Sequence, residues 1–398
     1  MPDRHDADRR SRRDFLKGTT AAAATLGLGR AGAHASPAAG PAAPAVGSAR
    51  PAAAPEWRNR HPDMTYRVLG RTGFMVSEVV YGGYLMKPHT VDLYEAALDR
   101  GLNFLDQAIS YGNGDGERAI GTLLKRGVSR DRFFLTSKLS HYNGFVRRVY
   151  GDHLKTLTGD QQAAVQARAQ TLFAEHRPTR TGYHVNYFGG QEKPMDGTYL
   201  VNAMKELGFA AGTKKQFKDK IFDQLDESMA RTTADHYDVL YCPHSVESPA
   251  AFDDEALTEA LAEIKQSGKA RALGFSCHND TGAILSAGTA TGTYDVAMVA
   301  YNLVNHLAMD PVIAEATAAG VGVIAMKAAR PVVIDALDWR IAKLHAMIPG
   351  DDLSVAQKAY LFVLQNPDLS AVISDMGDVA MLTENLALAG RKTELNWV

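Results

Sequence analysis

The sequence predicts a (β/α)8 barrel with a long, mostly helical insertion after its third strand. Three observations carry this expectation. Eight short, β-rich apolar runs recur along the chain, segments with helical spacing separate them, and no Gly-x-Gly-x-x-Gly turn follows the first run. On alternation alone an open, doubly wound sheet is the competing reading. The missing dinucleotide fingerprint counts against it.

The runs are 79–83, 103–108, 133–138, 237–242, 272–276, 296–301, 322–327 and 371–376, each apolar enough for a buried parallel strand. Helical spacing is expected over 91–100, 116–125, 217–232, 254–267, 310–319, 354–365 and 378–389. Asp310-Pro311 reads as a helix start, and Gly101, Gly268 and Gly320 stand just past helix ends. The stretch 141–217 is far longer than an ordinary barrel loop. Because it follows strand three, it should emerge on the face that carries chemistry. Its first half, 160–176, has helical spacing, while Tyr183 to Gly190 is aromatic and polar with glycines. A lid over the substrate pocket is expected, a surface-packed excursion or interface being the alternative, and its aromatic, amide and imidazole groups suit a polyhydroxylated ligand such as a sugar.

The chain begins with an address. Ser11-Arg12-Arg13-Asp14-Phe15-Leu16-Lys17 precedes a short apolar stretch, Thr19 to Gly29, and Ala33-His34-Ala35 offers a cleavage site. Residues 1–35 resemble a twin-arginine export signal, which implies passage through that machinery to the periplasm or the exterior. The apolar stretch is too short for a stable membrane anchor. Residues 36–60, rich in Ala and Pro, read as a flexible linker before a domain at 61–398, whose folded part begins near Trp57 to Tyr66.

Composition narrows the function classes. The 398 residues carry a formal charge of −2, and the first 35 hold seven Lys/Arg against four Asp, so the rest is mildly acidic. That argues against nucleic acid as a partner. The two cysteines, Cys242 and Cys277, have no metal-ligand spacing, and no metal is expected.

Polar residues at the ends of barrel strands are the first candidates for catalysis. Asp106 and Lys138 lie in or at the end of runs two and three, Tyr111 in the loop after run two, and His244 two residues after run four. Taken singly, each has a structural explanation, as a cap, a rim residue or a solvated charge. Together they suit carbonyl reduction. A tyrosine can give a proton to a developing alkoxide if a neighbouring ammonium stabilises its phenolate, so Lys138 supplies the charge, Asp106 holds Lys138, and His244 bonds the substrate oxygen.

These residues sit in segments that resemble the aldo-keto reductase superfamily. Gly70-Arg71-Thr72-Gly73 with Gly82-Gly83 is similar to its opening hairpin and first strand. Asn103-Phe104-Leu105-Asp106, Tyr111-Gly112-Asn113-Gly114 and Glu117 match its aspartate and tyrosine segment. Phe134 to Lys138 and Tyr237 to Leu240 with His244 match the lysine and histidine strands. The likeness extends through Gly268 to Ser276, Tyr301-Asn302, Gly322 to Lys327 and Glu384-Asn385. It implies an NAD(P)-dependent oxidoreductase, with the nucleotide extended across the barrel mouth. By match, Ser276 contacts the carboxamide, Asp106 the nicotinamide ribose, and Glu384 and Asn385 the adenine. Gly83, Met326 and Lys327 fall in cofactor-binding segments.

The chain departs from that pattern in several places. Ser276-Cys277-His278-Asn279 replaces a Ser-Asn pair, Met298 stands where a glutamine is usual, and Met326 replaces the stacking aromatic. Asp375 and Asp378 occupy the loop that binds phosphate in relatives. NADP is expected from the resemblance, and these carboxylates keep NAD open. The expected activity is interconversion of a carbonyl and an alcohol on a small molecule, with carbohydrates among the candidates. A redox-neutral epimerase or transhydrogenase with a tightly held nucleotide, and a non-catalytic ligand-binding barrel, are the alternatives.

Overall fold

The computed structural model describes residues 52–334 and 336–397. The expected signal peptide and all but the last residues of the expected linker lie outside them. Eleven strands are present among the described residues, β1 (Glu56–Trp57), β2 (Tyr66–Val68), β3 (Phe74–Ser77), β4 (Val79–Gly82), β5 (Phe104–Asp106), β6 (Phe134–Lys138), β7 (Tyr237–Tyr241), β8 (Ala270–Cys277), β9 (Val296–Ala300), β10 (Gly322–Met326) and β11 (Leu369–Ser374). The last eight close into a barrel in the order β10-β11-β4-β5-β6-β7-β8-β9, with every neighbouring pair parallel. The predicted (β/α)8 barrel is the fold.

The strands are almost wholly buried because each has core on both faces. The alternating inward residues Val80, Phe104, Phe134, Val239, Ala272, Val296, Met298, Ile324 and Ala371 fill the interior. The antiparallel β2–β3 hairpin closes the bottom, sending Leu69, Phe74 and Val76 into the same cluster, with Phe74 stacked on Phe134 at 4.6 Å between centroids. β1 pairs in parallel with β3, so Glu56 to Arg60 belong to the fold rather than to the linker. Arg58 anchors that segment by donating to Glu56 and to the buried Asp238.

Asp238 is the electrostatic centre of the base. Arg58, Arg130 and Arg271 all reach it, at 3.2, 2.6 and 2.6 Å, and it accepts the Leu135 amide at 2.8 Å. Against the cost of burial, Arg130 and Arg58 hold its carboxyl below the usual range.

Two expected boundaries move. The helix read as starting at Asp310-Pro311 runs over His306–Ala318, with Pro311 inside it. Asn302 and Asn305 start it early, since the Asn305 side chain accepts the Asn302 amide and the His306 amide reaches the Asn302 carbonyl. The helix expected from Phe217 begins at Lys214, where the Thr213 hydroxyl accepts the Gln216 amide, so the excursion after β6 ends before residue 214. Between β6 and that point lie helices Tyr142–Leu154, Gly159–His176 and Lys193–Glu206. The second opens with a capping box, Thr158 with Gln161. No helix among the described residues is long and apolar enough to cross a membrane.

Candidate active site

The period of two that buries Phe104 and Phe134 also brings Asp106, two residues on, and Lys138, four residues on, to the inner face at the C-terminal mouth. Both are fully buried. Lys138 Nζ donates to Asp106 Oδ2 and, at 2.9 Å, to the Gln107 carbonyl, while Thr136 donates to Asp106 Oδ1 at 3.0 Å. Burial pushes Asp106 up and Lys138 down, and the attraction between them opposes both shifts.

Tyr111 sits in the short turn after β5, Tyr111–Gly114, where Gly112, Asn113 and Gly114 all take positive φ, a path that glycine follows without steric cost. Its hydroxyl points to Asp106 Oδ2 at 3.5 Å. Lys138 lies over the ring, 4.9 Å from the centroid, rather than against the hydroxyl. The expectation that Lys138 lowers the tyrosine pKa is therefore corrected. Burial first, then the Asp106 carboxylate, pushes it well up, because the ammonium is already committed to Asp106 and Gln107.

His244 enters from the loop after β7, its carbonyl fixed by the Asn143 amide at 2.9 Å. It bonds none of the other three, its nearest side-chain partner being Ser245 Oγ at 3.5 Å from Nε2. Burial, with Lys138, His141 and Lys327 adding repulsion, lowers its pKa to about 3 and keeps the imidazole neutral.

The residues matched to a cofactor spread along the same rim. Ser276 Oγ accepts the Ser245 amide at 3.3 Å, and its own proton has no partner among the described residues. Met298 and Met326 cap the inner cluster beside it. Lys327 takes a positive φ of 64°, and its ammonium has neither hydrogen bond nor ion pair among the described residues, only the Phe188 ring 5.7 Å away. Gly83 leaves room for Gln107, since a Cβ there would meet Gln107 Nε2 at 2.0 Å and the Asp106 carbonyl at 2.4 Å. Glu384 is exposed on helix Val379–Leu386, whereas Asn385 is buried and donates to Ser374 at 2.9 Å. Asp378 caps that helix through the Met381 amide. Asp375 reaches solvent at the mouth, yet crowding by the surrounding protein raises its carboxyl to about 6 against the pull of Lys327.

Sequence reasoning passed over several supporting residues. Thr136 shares the inward face of β6 with Lys138, and Tyr241, next to Lys138 in register, places its ring 5.5 Å from the ammonium. Gly274 makes room for that ring, because a Cβ there would approach it to 2.7 Å. The period of two marks both positions. Behind the site, buried Glu117 accepts from Ser137 at 2.6 Å and from Arg231 at 2.6 Å, tying the helix after β5 to the helix before β7.

The segment 180–191 lies across the loops after β8, β9 and β10. Tyr187 accepts from Asn302 at 2.8 Å through its hydroxyl and from Arg330 through its carbonyl, Gln191 donates to Asn279 at 2.7 Å, and Arg180 pairs with Asp280.

The Aldo/keto reductase family model matches residues 72–174 and 209–330, more than half of the chain. The chain belongs to the aldo/keto reductase family. The match passes over 175–208, which contains the whole of the segment just described. A twin-arginine translocation signal model matches residues 11–29. Among curated proteins, this aldo/keto reductase is similar to a 6-dehydroglucose reductase of Novosphingobium aromaticivorans, 29% identical over 38% of this chain and 53% of that one. It is also similar to the aldo-keto reductase AMT2 of Alternaria alternata, 25% identical over 53% and 49% respectively. The chain thus spans about half the length of these relatives. Among solved structures, a thermostable aldo-keto reductase in complex with the inhibitor epalrestat has a TM-score of 0.56 at 18% identity, covering 83% of this chain and 96% of that one. An aldo-keto reductase from Klebsiella pneumoniae in complex with NADPH has 0.51 at 16%, covering 84% and 99%. Both likenesses concern the fold.

Proposed function

We propose that this aldo/keto reductase is an exported, NAD(P)-dependent oxidoreductase that interconverts a carbonyl and an alcohol on a small, sugar-like substrate. The observation that carries the reading is the buried Asp106–Lys138 pair with the Tyr111 hydroxyl beside it and a neutral His244 in the same mouth. Tyr111 stays protonated across the neutral range and can hand its proton to an oxygen that gains negative charge. The Lys138 ammonium, fixed by Asp106 and the Gln107 carbonyl 4.9 Å from the ring centroid, offsets only part of the cost of the charge the tyrosine then acquires, since burial and Asp106 outweigh it. Neutral His244 keeps one N–H to orient the same oxygen.

The residues present fit a dinucleotide. The unpartnered Ser276 proton suits a carboxamide, the unpaired Lys327 ammonium suits a phosphate, and exposed Glu384 suits an adenine amine. A bound nicotinamide supplies or accepts the hydride. NADP is the proposed form, supported by the NADPH of the Klebsiella neighbour, and the carboxylates of Asp375 and Asp378 make NAD its competitor. The sugar-like substrate is supported by the name of the Novosphingobium relative and by the aromatic, amide-rich segment over the mouth. Export rests on the twin-arginine match.

The test is to purify the full chain from the exported fraction, denature it and identify any nucleotide released, then titrate NADPH and NADH into nucleotide-free protein. Release or binding of either supports the reading. Absence of both overturns it.

A further inference from the structure

Beside His244 lies a cleft that the hydride chemistry does not use. One wall is Phe188, Gln191 and Pro194 from the segment after β6, and the other is Ser245, Glu247 and His278 from the loops after β7 and β8. It encloses about 340 Å³ including its open mouth. Ser245 joins it to the candidate active site, since its hydroxyl lies 3.5 Å from His244 Nε2.

Three groups in the cleft have unused binding capacity. Phe188 leaves 39% of its surface exposed, although its ring edge is fixed against His278 at 5.5 Å. Buried Glu247 commits only Oε2, to Arg147 at 2.9 Å and Thr198 at 3.1 Å, and Oε1 has no protein partner among the described residues. His278 makes no hydrogen bond among the described residues. Gln191 and Asn279 bond each other twice, so the wall between these groups is stiff.

We propose that this cleft is the subsite for the polyhydroxylated part of the substrate, a neutral sugar ring that stacks on Phe188 and bonds Glu247 and His278 through its hydroxyls. The proposal rests on the carbonyl–alcohol reading of the adjoining site. Burial raises Glu247 to about 7, and burial with Lys327 and His244 nearby keeps His278 neutral, so neither a strong anion nor a strong cation is favoured. Hydroxyls both donate and accept, which satisfies a neutral imidazole and a carboxyl together. A plain aromatic ligand would cover Phe188 and leave both polar groups unpaired.

The full chain, without nucleotide, is titrated with D-glucose, D-xylose and benzyl alcohol by calorimetry and saturation-transfer NMR. At least one sugar is expected to bind more tightly than benzyl alcohol. Phe188→Ala should weaken sugar binding about tenfold at unchanged thermal stability, Glu247→Gln should weaken it about tenfold with a lower thermal midpoint from the lost Arg147 pair, and Phe188→Trp should retain it. Sugar binding unaltered in both loss variants, benzyl alcohol bound more tightly than either sugar, or no sugar binding at all overturns the assignment. Failure of the oxidoreductase reading registers separately, as an absence of NADPH- or NADH-driven reduction of 4-nitrobenzaldehyde by the unaltered chain.

Discussion

Asp106 and Lys138 are two opposite charges buried side by side, and each is tolerable only because of the other. Replacing Lys138 with Met strands the carboxylate, which typically costs about 3–5 kcal/mol. Lys138→Met should therefore lower the thermal midpoint clearly as well as suppress turnover, and an unchanged midpoint would show that Asp106 finds compensation elsewhere. His244 makes a pH prediction. Its imidazole titrates near 6.5 in the unfolded chain and at about 3 in the fold, so between those values the unfolded chain binds the extra proton. Its contribution to stability is then lost as pH falls from about 6.5 toward 3, and thermal midpoints against pH should decline less steeply in His244→Asn than in the unaltered chain. Identical slopes would remove His244 from the account. At this scale the sequence was informative where a charge interrupts an apolar strand, as at Asp106 and Lys138. Thr136 and Tyr241 were not visible because threonine and tyrosine are ordinary strand residues, and only the inward pleat gives them a role.

The strands and most helices follow from apolar runs and their punctuation, since local pattern is sufficient for local structure. The start of helix His306–Ala318 was misplaced because the Asn302–Asn305 turn depends on side-chain bonds that no hydrophobic period records. The length of the excursion after β6 is plain in the sequence, but its docking is not. Asn279, Asn302 and Arg330, which hold Tyr187 and Gln191, lie some hundred residues away along the chain. Tyr187→Phe removes the bond to Asn302, a loss of about 1 kcal/mol. Hydrogen exchange should quicken across 183–191 while the barrel strands keep their protection. Uniform exchange throughout would mean that this segment does not open independently.

For the molecule as a whole, the barrel separates its stabilising base from its mouth. Asp238 gathers three guanidiniums beneath the inner cluster, far from Tyr111 in chemical role although on the strand that leads toward His244. Asp238→Ala leaves those charges uncompensated and should destabilise by about 3–5 kcal/mol. Thermal melts should show that loss, with kcat at permissive temperature little changed. The (β/α)8 class was legible because alternation of strand and helix leaves few topologies. The closure of the base by Arg58, Arg130 and Arg271 was not, because arginines on distant elements look like solvated surface until the fold brings them to Asp238.

In the proposed nucleotide-dependent carbonyl reduction, Tyr111 donates the proton. The most direct measurement is single-turnover oxidation of bound NADPH or NADH by a small aldehyde, compared between the unaltered chain and Tyr111→Phe, with nucleotide affinity measured on both. The rate should fall roughly 10²–10⁴-fold with affinity nearly unchanged. Full rate in Tyr111→Phe would contradict it.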